Sequence, residues 1–403
     1  MGAGRSWADS SILLCSGRRA HNGGAGEKNT IRALQILDIE RLGSAQFAIY
    51  EIQVDAAVAH AFARVGIIGT GWCGGIRANT CANSALVEEL HIAEIKQERL
   101  DEVAKETGPK TATTDHTELL ANDGIDAFII SATPETTHFP MTRDCLKAGK
   151  HVFLEKPLSL TLKEADELID LASDNNLKFT IGYSQRFNPK FAYVKKSLTD
   201  GTLGEPVSAL VSRHISRNLG DKIGGRIKLS PAAMEATHDL DFVLWCLEPA
   251  KPIRVYAQAV NKVMRPTHDV EDCMWIVVTM DDGTVVTVGA GWILPPAYPN
   301  FSTTMIEIVG SKGALMIDDS HKDVMLTTLE GGIVHPMSTM PGEQVDHVFA
   351  GPMHDETVHF LEAIAFNRPV LVKPEQARKV MEVYMAADLS AARNEPVPLP
   401  MNA

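Results

Sequence analysis

No stretch of this 403-residue chain is a long apolar run, so nothing in it offers the roughly 20 apolar residues that a membrane-spanning helix needs. The apolar segment Ile12 to Cys15 is far shorter than the core of a secretory signal, and the polar and glycine residues after Arg18-Arg19 do not support a twin-arginine export signal. Basic residues are outnumbered, 38 Lys and Arg against 51 Asp and Glu, for a formal charge of −13. No basic run interleaved with aromatics is present to track a phosphate backbone, which argues against a nucleic-acid partner. The six cysteines (Cys15, Cys73, Cys81, Cys145, Cys246 and Cys273) lack CxxC spacing. Neither a structural zinc site nor a disulfide framework is suggested, and the usage fits a reducing, cytoplasmic compartment. Internal repeats and long low-complexity linkers are missing too.

What is present is enough apolar sequence, 45% of residues, for two globular domains with buried cores. The organising stretch is VGIIGTGWCGG, an apolar strand from Val65 to Ile68 that breaks into Gly69-x-Gly71-x-x-Gly74. Such a turn into a helix can hold a pyrophosphate on bare backbone N–H groups and the positive helix end. Gly69 makes the tight turn, Gly71 lets the backbone approach phosphates, and Gly74 lets helix and strand pack closely. Trp72, within the loop, counts with it as a cofactor contact. Glu94 closes a second strand-like run, LHIAE, about 20 residues beyond the last glycine, where an acid is expected to hold ribose hydroxyls. An ordinary strand-loop-helix connection would use glycine without the acid.

Residues 1–60 open with a glycine-rich polar stretch, His21 to Glu27, and read as a poorly ordered N-terminal extension with one short helix expected from Ile31 to Leu42. Residues 61–182 alternate strand and helix. Strands are expected at Leu90 to Glu94, Ala127 to Ser131, His151 to Leu154 and Lys178 to Ile181, with helices at Ile76 to Ser84, Arg99 to Thr107, Thr117 to Asn122, Thr142 to Ala148 and Leu162 to Ala172. This predicts a Rossmann domain, a parallel sheet with helices on both faces. Residues 183–374 change texture. Strand-like runs at Val207 to His214, Ile253 to Ala259, Met274 to Thr279, Thr284 to Gly289 and Thr304 to Val309 surround one helix from Ser230 to about Leu247. Asp281-Asp282-Gly283 reads as a hairpin turn. This predicts an α+β domain on a large, mainly antiparallel open sheet. Residues 375–403 form a last helix and tail.

Two segments carry candidate chemistry. Glu155-Lys156-Pro157 follows a strand of the first domain, so Lys156 reaches the same sheet edge as the glycine loop. Beside a cationic nicotinamide its ammonium form is disfavoured and it can exchange a proton with a hydroxyl; the alternative is a surface lysine paired with Glu155. In MEATHDLDF, His238 stands one helical turn from Glu235 and from Asp241, so a carboxylate could orient the imidazole. Taken alone, a histidine on an amphipathic helix reads as a satisfied core residue. No further His or Cys stands at ligand spacing, so no metal is expected.

With these residues in view, VGIIGTGWCGG, TPETTHFPMTRDCLKAGKHVFLEKPLSL, GYSQRFNP, THDLDFVLW and PEQARKVMEVYMAADLSAARNEPVPL together resemble the glucose-fructose oxidoreductase / inositol dehydrogenase / MocA-like family over Phe62 to Leu399. The resemblance implies a Rossmann domain followed by an open-sheet domain, with NAD or NADP and oxidation of a hydroxyl of a sugar, cyclitol or related polyol. It places Gly69, Gly71, Gly74, Glu94, Thr133, Pro134, His138, Glu155 and Lys156 at the cofactor. It makes Lys156 and His238 the catalytic pair, reversing the reading of His238 as core. Tyr183, Arg186 and Asn188 fall where members approach nicotinamide and substrate.

One position departs from that pattern. Many polyol dehydrogenases of the family carry Asp four residues before the histidine; here Met234 stands there, with Glu235 beside it as the substrate-binding candidate. The acid at Glu94 favours NAD, while Lys96 and Arg99 leave NADP open. Two other activities stay open by resemblance, NAD-dependent glycoside hydrolysis and a non-catalytic nucleotide-sensing regulator. Relatives often pair through the exposed sheet face, so a homo-oligomer, dimer or tetramer, is expected.

Overall fold

Successive residues of β1 (Ala63–Ile68) point to opposite faces of a sheet, and both faces are buried: Val65 and Ile67 join one apolar cluster, Ile68 another. The computed structural model describes residues 63–218, 229–300, 302–318, 324–330, 332–334 and 343–401; the N-terminal extension and the helix expected at Ile31 to Leu42 lie outside the described residues. After β1 come α1 (Trp72–Ala82), β2 (Val87–Ala93), α2 (Gln97–Thr107), β3 (Thr111–Thr113), α3 (His116–Leu120), β4 (Ala127–Ile130), α4 (His138–Lys147), β5 (His151–Leu154), α5 (Leu162–Asp174) and β6 (Phe179–Ile181). The six strands are all parallel, in the order β3-β2-β1-β4-β5-β6. This is the doubly wound Rossmann arrangement expected from the alternation.

The same alternation sorts the helices. Val65, Ile67, Ile129 and Phe153 pack with Ala78 and Cys81 of α1 and Leu100 and Val103 of α2. Phe128, Ile130, Val152 and Leu154 pack with Leu119, Cys145, Leu146, Ala165 and Leu168 of the opposite layer. α1 starts at Trp72, four residues earlier than the apolar spacing suggests, so the helix springs directly from the glycine turn.

α6 (Pro189–Thr199) has Pro at its first turn and Asn188 as its cap, the amide oxygen accepting from Lys190 N–H at 3.0 Å. It was not anticipated, because only Phe191 and Val194 mark its buried face among lysines. There follow β7 (Pro206–Ser216), a π-helical turn at Ala232–Ala236, α7 (Thr237–Leu247), β8 (Pro252–Val260), α8 (Arg265–His268), β9 (Cys273–Met280), β10 (Val285–Leu294), β11 (Ser302–Gly310) and β12 (Ala314–Asp318). Two short hairpins, β13 (Leu326–Thr328) with β14 (Gly332–Val334) and β15 (Glu343–Val345) with β16 (Val348–Ala350), precede α9 (Pro352–Ala365), α10 (Pro374–Arg393) and β17 (Val397–Pro398).

The second sheet has the order β12-β11-β7-β10-β9-β8-β17 and is antiparallel apart from the β7/β10 pair. The Asp281-Asp282-Gly283 turn joins β9 to β10 as expected, with Met280 N–H donating to Thr284 O at 2.9 Å. α7 and α10 cover the inner face, and their apolar residues belong to the same cluster as one face of the first sheet, so a single core runs from Ile68 to Val397. The outer face stays open. Trp275, Gly289, Ser212 and Met305 are paired in one row across four strands, with Trp275 40% and Met305 46% exposed. α9, also absent from the sequence reading, folds back so that Phe360 and Leu361 complete the core beneath β1 and β5.

Candidate active site

The glycine loop leaves β1 with Gly69 at φ +84°, a backbone conformation that L side chains rarely adopt. Its N–H donates to Ala93 O at 2.8 Å, tying the turn to β2. At Gly74 a Cβ would lie 2.0 Å from the Gly69 carbonyl oxygen, so helix and turn approach as closely as backbone permits. At Gly71 a Cβ would meet nothing within 4 Å. That side of the loop is open, and α1 begins there with no side-chain cap and no acid in its first turn, leaving N–H groups for an anion. Trp72 stands 63% exposed on the same turn.

Glu94 follows β2 at the same edge. One carboxylate oxygen accepts from Thr70 N–H (2.8 Å) and the Thr70 hydroxyl (3.3 Å), the other from Lys96 N–H (3.1 Å). A carboxylate has about four acceptor positions, so capacity remains for a ribose hydroxyl. Arg99 also reaches the loop, donating to Thr70 O at 2.8 Å while paired with Glu102. These features fit a dinucleotide.

Thr133 and Pro134 leave the carboxyl end of β4 and are exposed beside this edge. His138 is placed differently from a cofactor contact. It is buried, with Nδ1 2.7 Å from Pro157 O and Nε2 3.1 Å from Ala132 O, and so braces the exit of β4 against the Lys156-Pro157 turn. Burial holds its imidazole below the usual histidine range. Glu155 likewise turns inward, to Arg77.

Lys156 crosses to the second domain. Its Nζ donates to the Met234 carbonyl at 2.9 Å, on the π-helical turn that leads into α7 and His238. π-Turns recur at functional sites, and this one corrects an expectation. The sequence spacing put Glu235 one α-turn from His238, but the wider turn redirects it: Glu235 accepts from Trp292 Nε1 (3.2 Å) and Arg213 Nη1 (3.1 Å). Asp241, the other expected orienting acid, is bound to Arg186. His238 therefore has no carboxylate partner. Its ring is partly exposed, its Nδ1 is buried without a partner, and the edge of Tyr183 meets it at 6.1 Å between ring centres. Burial first, then the cations Lys156 and Arg213, hold the imidazole well below the usual histidine range, so it is neutral near pH 7.

Of the three substrate candidates, Tyr183 borders His238 and hydrogen-bonds Thr237 Oγ1 at 2.8 Å. Arg186 and Glu235 direct their polar groups into the protein. Arg186 donates to both oxygens of Asp241 (2.9 and 2.6 Å), to Leu371 O and to Gln376 Oε1, and lies over Trp245. Both are buried struts where the sequence suggested ligand contacts. Sequence reasoning missed Arg213, which also pairs with Asp239 at 3.0 Å. Its signal is an arginine at an inward position of an alternating strand, between Val211 and Ile215. No group of three His, Cys, Asp or Glu that could hold a metal occurs among the described residues, and none of their helices is long and apolar enough to cross a membrane.

Profiles of known families match most of this architecture: residues 63–183 an oxidoreductase family with an NAD-binding Rossmann fold, and residues 191–316 the GFO/IDH/MocA C-terminal domain. The chain belongs to the GFO/IDH/MocA oxidoreductase family. Among relatives of this family, myo-inositol 2-dehydrogenase of Thermotoga maritima is 27% identical over 67% of this chain and 79% of its own length. The scyllo-inositol 2-dehydrogenase (NAD(+)) of Bacillus subtilis is 25% identical over 83% and 96%. The structure of scyllo-inositol dehydrogenase from Lactobacillus casei, with NAD(H) and scyllo-inositol, superposes with a TM-score of 0.72 at 22% identity, covering 84% of this chain and 99% of that one, and so shares the fold. GFO/IDH/MocA membership makes the chain an oxidoreductase and NAD its cofactor.

Proposed function

We propose that this oxidoreductase interconverts a secondary hydroxyl of a cyclitol, sugar or related polyol and the corresponding ketone, with Lys156 and His238 handling the hydroxyl proton. The observation that carries this reading is the Lys156 Nζ contact to Met234 O beside a neutral His238. Bound NAD supplies the hydride acceptor. Gly69, Gly71, Trp72, Gly74, Glu94, Thr133 and Pro134 would hold it at the carboxyl edge of the first sheet, and His138 and Glu155 would brace the turn that delivers Lys156. Beside the cationic ring of bound NAD the ammonium form of Lys156 would be disfavoured, and as the free amine it is the group to take the proton from the reacting hydroxyl. His238, kept uncharged, accepts a hydrogen bond from that hydroxyl or passes its proton outward, and Tyr183 fixes the ring by packing against its edge.

The inositol dehydrogenases among the relatives support a cyclitol as the first substrate class to try. Met234 in place of an acid, and Glu235 engaged by Arg213 and Trp292, favour a substrate that needs fewer hydroxyl acceptors than a bare inositol. We also infer a homo-oligomer, dimer or tetramer, joined through the outer sheet face where Trp275 and Met305 are exposed. The test of function is absorbance at the NADH band with NAD, and separately NADP, against inositols, aldoses and their derivatives. A rise with one polyol and NAD supports the reading. Tight NAD binding with no NADH from any polyol counts against it.

A further inference from the structure

Beneath the lysine turn lies a buried charge cluster that the proton transfer does not touch. Arg77 of α1 is 1% exposed. Its Nε and Nη2 donate to one oxygen of Glu155, at 2.9 and 2.6 Å, and Glu155 immediately precedes Lys156. Nη2 also donates to Glu356 Oε2 and Nη1 to Thr357 Oγ1, each at 2.9 Å, both on α9. The guanidinium lies 3.9 Å over the ring of Phe153 in β5. The planar fork thus joins three elements far apart in the chain: the helix that begins at the glycine loop, the turn after β5, and α9.

Two ionised carboxylates on one buried cation would leave an excess negative charge in a medium that screens it poorly. Burial pushes the Glu356 carboxyl up to about 8 despite Arg77, with Glu155 adding to the rise, so near pH 7 it accepts from Arg77 as an uncharged group. Its Oε1 is buried and has no partner. The other groups facing the cluster do not compete for Arg77: Cys73 of α1 is held neutral by burial, up to about 12, and Asp241 of α7 is bound to Arg186. Glu155 takes two of the fork's N–H groups on one oxygen, and Thr357, which also donates to Met353 O at 2.8 Å, orients the far side of the fork.

We propose that Arg77, braced by Glu356 and Thr357, is a positioning residue for Lys156: by holding the Glu155 carboxylate it fixes the turn from which Lys156 reaches the Met234 carbonyl beside His238. Without that cation the nearly buried Glu155 loses both donors and must turn toward water, which displaces its neighbour. The consequence for catalysis rests on the proposed function; the positioning itself does not.

The test uses the full chain with its lysines reductively methylated with 13C-labelled formaldehyde, the resonance of residue 156 being assigned as the one lost in Lys156→Arg. In Arg77→Met and Glu356→Leu that resonance shifts or broadens, whereas Glu356→Gln, which retains an uncharged acceptor for Arg77, keeps the wild-type signal. Thr357→Val, the mildest change, gives a smaller shift in the same direction. With a polyol that supports NADH formation, Arg77→Met lowers kcat about 10- to 100-fold with KM for NAD within about 2-fold, the split of a misplaced reacting group. A residue 156 resonance identical to wild type in folded Arg77→Met, Glu356→Leu and Thr357→Val overturns the proposal. A wild-type protein that turns over no polyol counts against the function alone, because the resonance is read without substrate.

Discussion

Lys156 Nζ and the carbonyl of Met234, 78 residues apart in sequence, meet at 2.9 Å and join the edge of the cofactor sheet to the helix that carries His238. The acceptor is a backbone oxygen, at a position whose side chain, Met234, carries no acid. A carbonyl fixes the direction of the Lys156 side chain without adding a charge beside it.

On the proposed function Lys156 serves chemistry more than binding. Lys156→Ala is expected to remove turnover, by about 10²- to 10⁴-fold in kcat, while the dissociation constant for NAD measured by titration changes little. His238→Ala lowers kcat over the same range. Unchanged kcat in either variant rules out that residue's role.

The glycine loop separates stability from cofactor binding. Gly74→Ala drives a methyl against the Gly69 carbonyl and is expected to cost about 1–3 kcal/mol in urea unfolding. Gly71→Ala meets nothing in the protein, so its unfolding curve should overlay wild type while NAD affinity falls. Equal loss of stability in the two would contradict this division.

Arg186 and Asp241 form a buried pair with almost no exposed side-chain surface on either partner. Asp241→Leu leaves the guanidinium uncompensated and should destabilise by about 3–5 kcal/mol, whereas Arg186→Met combined with Asp241→Leu should recover most of that loss. Additive losses in the double-mutant cycle would mean the pair is not coupled.

The proton on Glu356 gives stability a pH slope. Its folded value of about 8 stands above the ordinary carboxyl value of 4.5, so the native state binds this proton more tightly than the unfolded chain does. The associated stability is complete below the unfolded value and is lost as pH rises to about 8. Glu356→Gln cannot ionise. It should therefore melt close to wild type near pH 4.5 and above wild type near pH 8–9, by differential scanning calorimetry. The buried histidines, whose values are depressed, slope the other way, gaining stability as pH rises through about 6.5, but both proteins share them.

The glycine loop, Glu94 and the strand-helix alternation were legible because each is local: a turn, an acid at the end of a strand, a period of two or of 3.6. Lys156 and His238 stood out from the residues alone and were joined as a catalytic pair only by the resemblance, and their proximity emerges only when two sheets fold onto one core. The misassigned pairing of His238 with Glu235 has a local cause as well. The π-turn at Ala232–Ala236 breaks the period on which the Glu235 spacing argument relied, and nothing in AAMEA announces it. Arg77 and Glu356 lie 279 residues apart, and a contact of that span leaves only one trace in the sequence, an arginine among the apolar and small residues of a helix that must be buried.

α9 places Phe360 and Leu361 under Val65, Ile67 and Phe153, so the nucleotide-binding sheet is sealed by a helix made well after it. During synthesis residues 63–183 are complete long before that seal exists, and the patch of this face left beside α1 and α2 waits for it. Expressed alone, the nucleotide-binding segment would carry that apolar patch into solution. The nucleotide-binding sheet therefore stays incompletely covered until α9 has been made.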